Sequence, residues 1–209
     1  MRRMATLLLL ALVACLGLSG CRTVEQSRPA PFRRLLILHF ADEPPYCGTG
    51  RQLARLLGDK ISTVTAGADA IVVSPRAVGL ADVSRTLRRG RIPLQTLQRA
   101  RKKYHADTIL IGQITDFDPY ADPAVALNLK VFQTADAALV AGVSRRWSAA
   151  SPEVKKQVKE YYRRCRSREE CRFGPNMFLT SPRYFLIFVA DRIARAHLLS
   201  PSLLAGGGR

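Results

Sequence analysis

At 209 residues, 47 per cent of them hydrophobic, the chain is long and apolar enough for one domain with a real core. Its 33 basic and 16 acidic residues give a formal net charge of +17, a property that speaks to solubility and partners rather than to fold. There is no internal repeat, and no interior segment is long enough to cross a membrane.

The first element is a short apolar segment. Arg2 and Arg3 precede an uncharged, mostly apolar run from Ala5 to Leu18, followed by the small residues Ser19 and Gly20. A membrane-spanning helix needs about 20 apolar residues, so the run has the length of a signal core. An ordinary secretory signal or an uncleaved anchor fits the same physical pattern. Leu18-Ser19-Gly20-Cys21 resembles the lipobox of bacterial lipoproteins. That resemblance implies cleavage before Cys21, removal of residues 1–20, and a diacylglycerol on the Cys21 thiol. Two or three acyl chains give stable anchoring where one does not. Arg22, rather than Asp, follows the cysteine. In enteric-type sorting this implies an outer-membrane address with the domain facing the periplasm, the inner membrane and the cell surface remaining open. Behind an export signal nucleic acid is a poor partner. Lipid head groups, lipopolysaccharide, teichoic acids and peptidoglycan stems are the anions at hand. The basic balance is equally compatible with an arginine-rich genome.

Residues 21–33, with Glu25, Gln26, Ser27, Pro29 and Pro31, read as a flexible tether. The domain is expected over residues 34–200. Arg34 to Phe40 is a short apolar run suited to a buried strand, and Asp42 to Gly50, with two prolines and two glycines, is a loop. Leu53, Leu56, Leu57 and Ile61 then recur at helical spacing to about Ser62. Ala70 to Ser74 is a second strand, stopped by Pro75. Pro93 opens a helix in its favoured first-turn position, with Leu94, Leu97, Ala100 and Tyr104 as the buried stripe. Thr108 to Phe117 is a strand with a continuous apolar start and an alternating end. Val125, Leu127, Leu129 and Val131 alternate with Ala126, Asn128, Lys130 and Phe132, and Leu139, Ala141, Val143, Arg145 and Trp147 follow the same period of two. These last three strands form an antiparallel meander. Pro152 to about Arg164 is a helix with Val154, Val158, Tyr161 and Tyr162 on one face. Pro182 to Leu199 is the longest, with Phe185, Phe188, Val189, Ile193, Ala196 and Leu199 inward. Residues 201–209 read as a disordered tail.

This order predicts an α/β (α+β) domain: a mixed sheet of about five strands, including the three-strand meander, with helices packed on it. Three passages carry a resemblance: the first strand ending at Phe40, the helix around Gly50 to Leu57, and Ala106 to Thr115. With the lipobox, they make the chain similar to the periplasmic α/β domain shared by the TolB amino-terminal domain, the curli secretion lipoprotein and the lipoprotein activators of penicillin-binding proteins. The resemblance runs from about Leu35 to Leu199 and is structural. It implies an envelope protein partner by analogy alone.

Outside the signal, Cys47, Cys165 and Cys171 remain besides Cys21. Cys165 and Cys171 bracket a short polar run and are the expected disulfide in an oxidising compartment, although three cysteines allow three pairings. None has a second Cys or His at ligand spacing, so no metal and no cofactor is expected.

Arg85, Arg88, Arg89, Arg91, Arg99, Arg101, Lys102 and Lys103 lie in a stretch with no acidic residue. They are either a contact for anionic lipid or glycan or the solvated outer face of a loop and helix. A second basic cluster, Lys155 to Arg172, contains Glu160, Glu169 and Glu170, and Glu160 to Arg164 has the spacing of a helical ion pair. His39 reads as a hydrogen-bonded core residue, and His105 and His197 as residues near helix ends. Asp116 and Asp118 look like paired carboxylates, but turn-making Asp is common at strand ends. A hydrolase would need His39, Asp116 and Asp118 in one pocket. Gly48-Thr49-Gly50 before a helix offers backbone N–H groups to an anion, or is simply a cap. Tyr46, Tyr120, Trp147 and Phe173 are candidate contact residues.

The functional expectation is a non-catalytic, lipid-anchored protein whose domain binds another envelope component, a protein partner foremost. Direct binding of anionic polymers or lipids through the basic face is the alternative. A homo-oligomer is possible, with nothing in the sequence to support it.

Overall fold

The computed structural model describes residues 32–42, 47–65, 68–164 and 171–198. Cys21, the signal, the tether before Phe32, Tyr46, Cys165 and the tail lie outside these residues. With three additions, a 3₁₀ turn and two short helices, the elements run in the expected order. They are β1 (Arg34–Leu38), α1 (Thr49–Val64), β2 (Asp69–Val73), a 3₁₀ turn (Pro75–Val78), α2 (Val83–Arg89), α3 (Leu94–Tyr104), β3 (Thr108–Asp118), β4 (Ala124–Gln133), β5 (Leu139–Ser148), α4 (Pro152–Arg164), α5 (Met177–Thr180) and α6 (Pro182–Ile193). A π-helical turn over Ala194–Leu198 continues α6.

The five strands form one mixed sheet in the order β2-β1-β3-β4-β5. β1 is parallel to both β2 and β3, while β3, β4 and β5 are antiparallel. The expected α/β architecture with its terminal meander is therefore the one observed. Helices cover the sheet unevenly. On one face α1, α4, α5 and α6 close a large core, with Leu35, Ile37, Leu53, Leu57, Leu127, Leu129, Trp147, Phe185 and Phe188 inside it. On the other face the 3₁₀ turn, α2 and α3 close a smaller core around Leu36, Leu38, Val78, Leu87, Leu97, Ile109, Ile111 and Phe132.

This asymmetry explains the strand patterns. Leu35 to Leu38 and Ile109 to Ile111 are wholly buried because the central strands carry helices on both faces, and such strands read as continuous apolar runs. Past Gly112 the second layer no longer covers β3, and burial alternates. A register shift between Ile114 and Asp116 resets the phase, so that Ile114 and Phe117 both join the large core and Asp116 and Asp118 point outward, as a bulge does. A second shift, opposite Val131 and Phe132, leaves Leu139 exposed rather than inward. Phe132, placed by alternation on the polar face, is buried in the smaller core beneath α2 and α3.

Three other expectations change. Leu94 is 63 per cent exposed; the buried face of α3 is Thr96, Leu97 and Ala100. Residues 83–89, read as loop, form α2. Asp82 caps it, its side chain accepting a hydrogen bond from the Arg85 N–H at 2.7 Å, and Gly90 in the left-handed region (φ 65°) ends it. The helix was missed because its apolar stripe is only Val83 and Leu87, too few residues to show a period. Arg164, expected to pair with Glu160, reaches instead across to the buried Asp191 of α6 at 3.3 Å. Arg195 holds the other oxygen of that carboxylate at 3.0 Å.

Candidate functional site

Leu87 of α2 and Leu97 and Ala100 of α3 point into the smaller core, and that commitment turns the remaining residues outward. Arg85, Arg88, Arg89, Arg91, Arg99, Arg101, Lys102 and Lys103 are all exposed on the resulting layer. Arg101, Lys102 and Lys103 occupy the last turn of α3, where the negative end of the helix dipole favours cations. His105 caps this helix in the left-handed region (φ 52°). Tertiary structure adds two cations that the sequence reading did not include. Arg76 is exposed on the 3₁₀ turn, and Lys130 reaches from β4 to donate a hydrogen bond to the Leu87 carbonyl at 2.7 Å. One acidic side chain answers them directly, Asp82 with Arg85 at 3.4 Å.

Two shallow clefts flank α3. One, of about 350 Å³, is lined by Ala77, Gln95, Gln98, Arg99, Lys102 and Lys103. The other, of about 270 Å³, lies at the end of the helix and is lined by Arg101, His105, Ala106, Asp107, Gln133, Thr134 and Ala135. The first is lined by side chains suited to anions, while the second includes the Asp107 carboxylate beside Arg101. The Arg99 side chain passes over Gly79, where a Cβ would collide with its guanidinium.

Asp107 has a separate task. Its carboxylate accepts hydrogen bonds from the backbone N–H groups of Arg33 at 2.7 Å and Arg34 at 3.3 Å. Arg34 in turn donates to the Tyr104 carbonyl at 3.4 Å. The chain therefore enters the domain beside the last turn of α3. Sequence reasoning missed this, since the partners are seventy or more residues apart.

The catalytic candidates are occupied structurally. Asp116 forms an ion pair with Arg146, and Asp118 accepts a hydrogen bond from the Tyr120 N–H at 2.9 Å, the local turn its position suggested. His39 is half-buried at the end of β1 and lines neither cleft. Burial, with Arg51 and Arg55 nearby, holds its imidazole below the ordinary value of 6.5. The anion-ready glycines before α1 have an anion from their own chain: Asp42 Oδ2 accepts from Gly48 N at 2.7 Å and Gly50 N at 3.0 Å. Among the described residues no group of three or more His, Cys, Asp or Glu is placed to hold a metal ion.

The aromatic candidates separate by burial. Trp147 is 1 per cent exposed and belongs to the core, whereas Tyr120 and Phe173 are 75 and 60 per cent exposed. Cys171 is disulfide-bonded and Cys47 is free and exposed.

Together these features define a three-layer α/β domain with a cationic outer layer of two short helices. No family model matches the chain, and no curated protein does. Among solved structures it is similar to the PelC dodecamer from Paraburkholderia phytofirmans, with 16 per cent identity and a TM-score of 0.42 over 58 per cent of this chain and 76 per cent of that one. Lipoprotein GNA1162 from Neisseria meningitidis matches with 12 per cent identity and a TM-score of 0.40, over 66 and 99 per cent of the two chains. TolB from Acinetobacter baumannii matches with 11 per cent identity and a TM-score of 0.37, over 63 and 27 per cent. At such identities and TM-scores these likenesses bear on neither activity nor partner.

Proposed function

We propose that this chain is a non-catalytic, lipid-anchored protein of the bacterial envelope, held at the outer membrane through Cys21, whose α/β domain binds another envelope component, foremost a protein. The observation that carries the reading is Leu18-Ser19-Gly20-Cys21 behind a short apolar run and two arginines. A disulfide at Cys171 suits the oxidising compartment that such an export signal leads to. No helix among the described residues is long and apolar enough to cross a membrane; in this reading the lipid on Cys21 is the anchor. Tethering restricts the domain to a shell beside the membrane and raises its effective concentration for partners there.

Labelled palmitate tests the anchor. Incorporation that disappears in Cys21→Ala, with an acylated amino-terminal peptide in the mass spectrum, supports it; an unlabelled protein with residues 1–20 still attached sinks it. Crosslinked envelopes test the binding. An enriched partner recovered with the wild type and depleted with Cys21→Ala is expected, and no enriched protein in either refutes the tethering role. The cationic layer supports a second reading, direct binding of anionic envelope polymers or lipids.

A further inference from the structure

We infer that the layer made by α2 and α3 is the membrane-facing surface of the anchored domain, and that its occupant is an anionic lipid surface. The inference rests on the lipid anchor proposed above and specifies which way the domain faces. Two independent features of the fold coincide. The first is charge: Arg88, Arg89, Arg91, Arg101, Lys102 and Lys103 are exposed on one layer, with the acids beside it already engaged. Asp82 pairs with Arg85, and Asp107 is clamped on backbone N–H groups.

The second feature is the point of entry. The Asp107 clamp fixes Arg33 and Arg34 beside the last turn of α3, where Arg101, Lys102 and Lys103 lie. Residues 22–31 span at most roughly 35 Å when fully extended. The chain thus enters at the edge of the sheet next to the cationic end of the layer, with Phe32 tucked into the large core on the other face. A tether leaving from that edge of the sheet keeps these side chains within reach of the zone of about 10 Å where an anionic surface is felt at moderate ionic strength, and their charge favours turning this layer towards it. Exposed Leu94, at the start of α3, adds an apolar residue to the same layer, as interfacial helices do.

The geometry also says why the layer is helical and shallow. Its helices cover only β2, β1, β3 and the Phe132 end of β4. The cations are therefore spread over a broad surface rather than gathered round a deep pocket, which suits many head groups better than one small ligand.

The test uses the chain from residue 21 with Cys21→Ala, so that binding is read without the acyl anchor. Partition onto vesicles of phosphatidylglycerol with phosphatidylcholine is compared with phosphatidylcholine alone. Each basic residue near an anionic surface changes the partition coefficient roughly fivefold. Arg99→Gln, Arg101→Gln, Lys102→Gln and Lys103→Gln combined should therefore weaken binding about a hundredfold or more. Arg88→Gln, Arg89→Gln and Arg91→Gln combined should also weaken it, while Lys155→Gln, Lys156→Gln and Lys159→Gln on α4 should not. Circular dichroism and melting temperature report that each variant is folded; if the first set is not, the second carries the comparison.

Salt-sensitive binding lost in the first two sets and kept in the third supports the assignment. Equal losses in all three overturn it, because then only net charge matters. Equal binding to neutral vesicles, no binding, or capture by inorganic polyphosphate without vesicle binding overturns it too. Palmitate labelling of the wild type is independent of this result. Failed labelling with retained vesicle binding removes the anchor, and labelling without vesicle binding removes the orientation.

Discussion

Gly50→Ala should destabilise the domain, although helix propensity alone says the opposite. Gly50 is the second residue of α1, and replacing glycine by alanine within a helix favours it by up to about 1 kcal/mol. Here a Cβ would lie 2.3 Å from the Phe40 carbonyl oxygen and 2.9 Å from its carbon. That backbone is pinned: the next residue, Ala41, donates to Gly112 O at 2.9 Å, and its carbonyl accepts from Ile114 N at 2.8 Å. The helix must yield instead. Displacing it draws Gly48 and Gly50 from Asp42 Oδ2, now at 2.7 and 3.0 Å. Overpacking costs about 1–3 kcal/mol and a lost cap about 0.5–2 kcal/mol, so the net loss should be about 0.5–4 kcal/mol after a propensity gain of up to about 1 kcal/mol. Urea unfolding followed by circular dichroism measures it, with the midpoint falling by up to roughly 2 M at unchanged slope. Asp42→Ala should cost less, and the double variant should cost less than the sum, because both changes release the same cap. A Gly50→Ala protein as stable as the wild type would refute the close approach and the carboxylate's role at the start of α1.

Trp147→Ala should cost about 3–5 kcal/mol, the range for a fully buried aromatic, and leave vesicle partition unchanged; loss of binding at full stability would make Trp147 a contact residue after all. Cys171→Ser should cost about 2–5 kcal/mol and make unfolding insensitive to reductant, whereas an unaltered reductant response would deny Cys171 its disulfide. His39 titrates below 6.5 in the folded chain, so the unfolded chain binds the proton first. Its contribution to stability is present above pH 6.5 and is lost as pH falls from there through the folded value. His39→Gln should flatten that part of the melting-temperature profile, and an unchanged profile contradicts the depressed imidazole.

The elements were legible wherever burial was simple. Continuous apolar runs marked β1 and the start of β3, and alternation marked β4 and β5, because strand period reports directly how many faces are covered. Legibility failed at bulges and short helices. The shift at Ile114 places Phe117 inward and Asp116 outward, and the shift near Val131 exposes Leu139. One inserted residue reverses every later side chain in a strand, and sequence spacing carries no mark of it. Leu94 misled for another reason: an apolar residue in the first turn of a helix satisfies the period without lying under anything.

The sequence by itself determined the alternation of strands and helices, the basic run from Arg85 to Lys103, and the lipobox-like Leu18 to Cys21. All three are written in neighbouring residues, whose spacing and charge act locally. Only the tertiary structure decided that Phe132 seats the cationic layer, that Asp42 fills the glycine turn before α1, and that Asp107 fixes the chain's entry beside α3. Each of these joins elements far apart in the chain, through hydrogen bonds and burial that exist only once the sheet has brought its strands together.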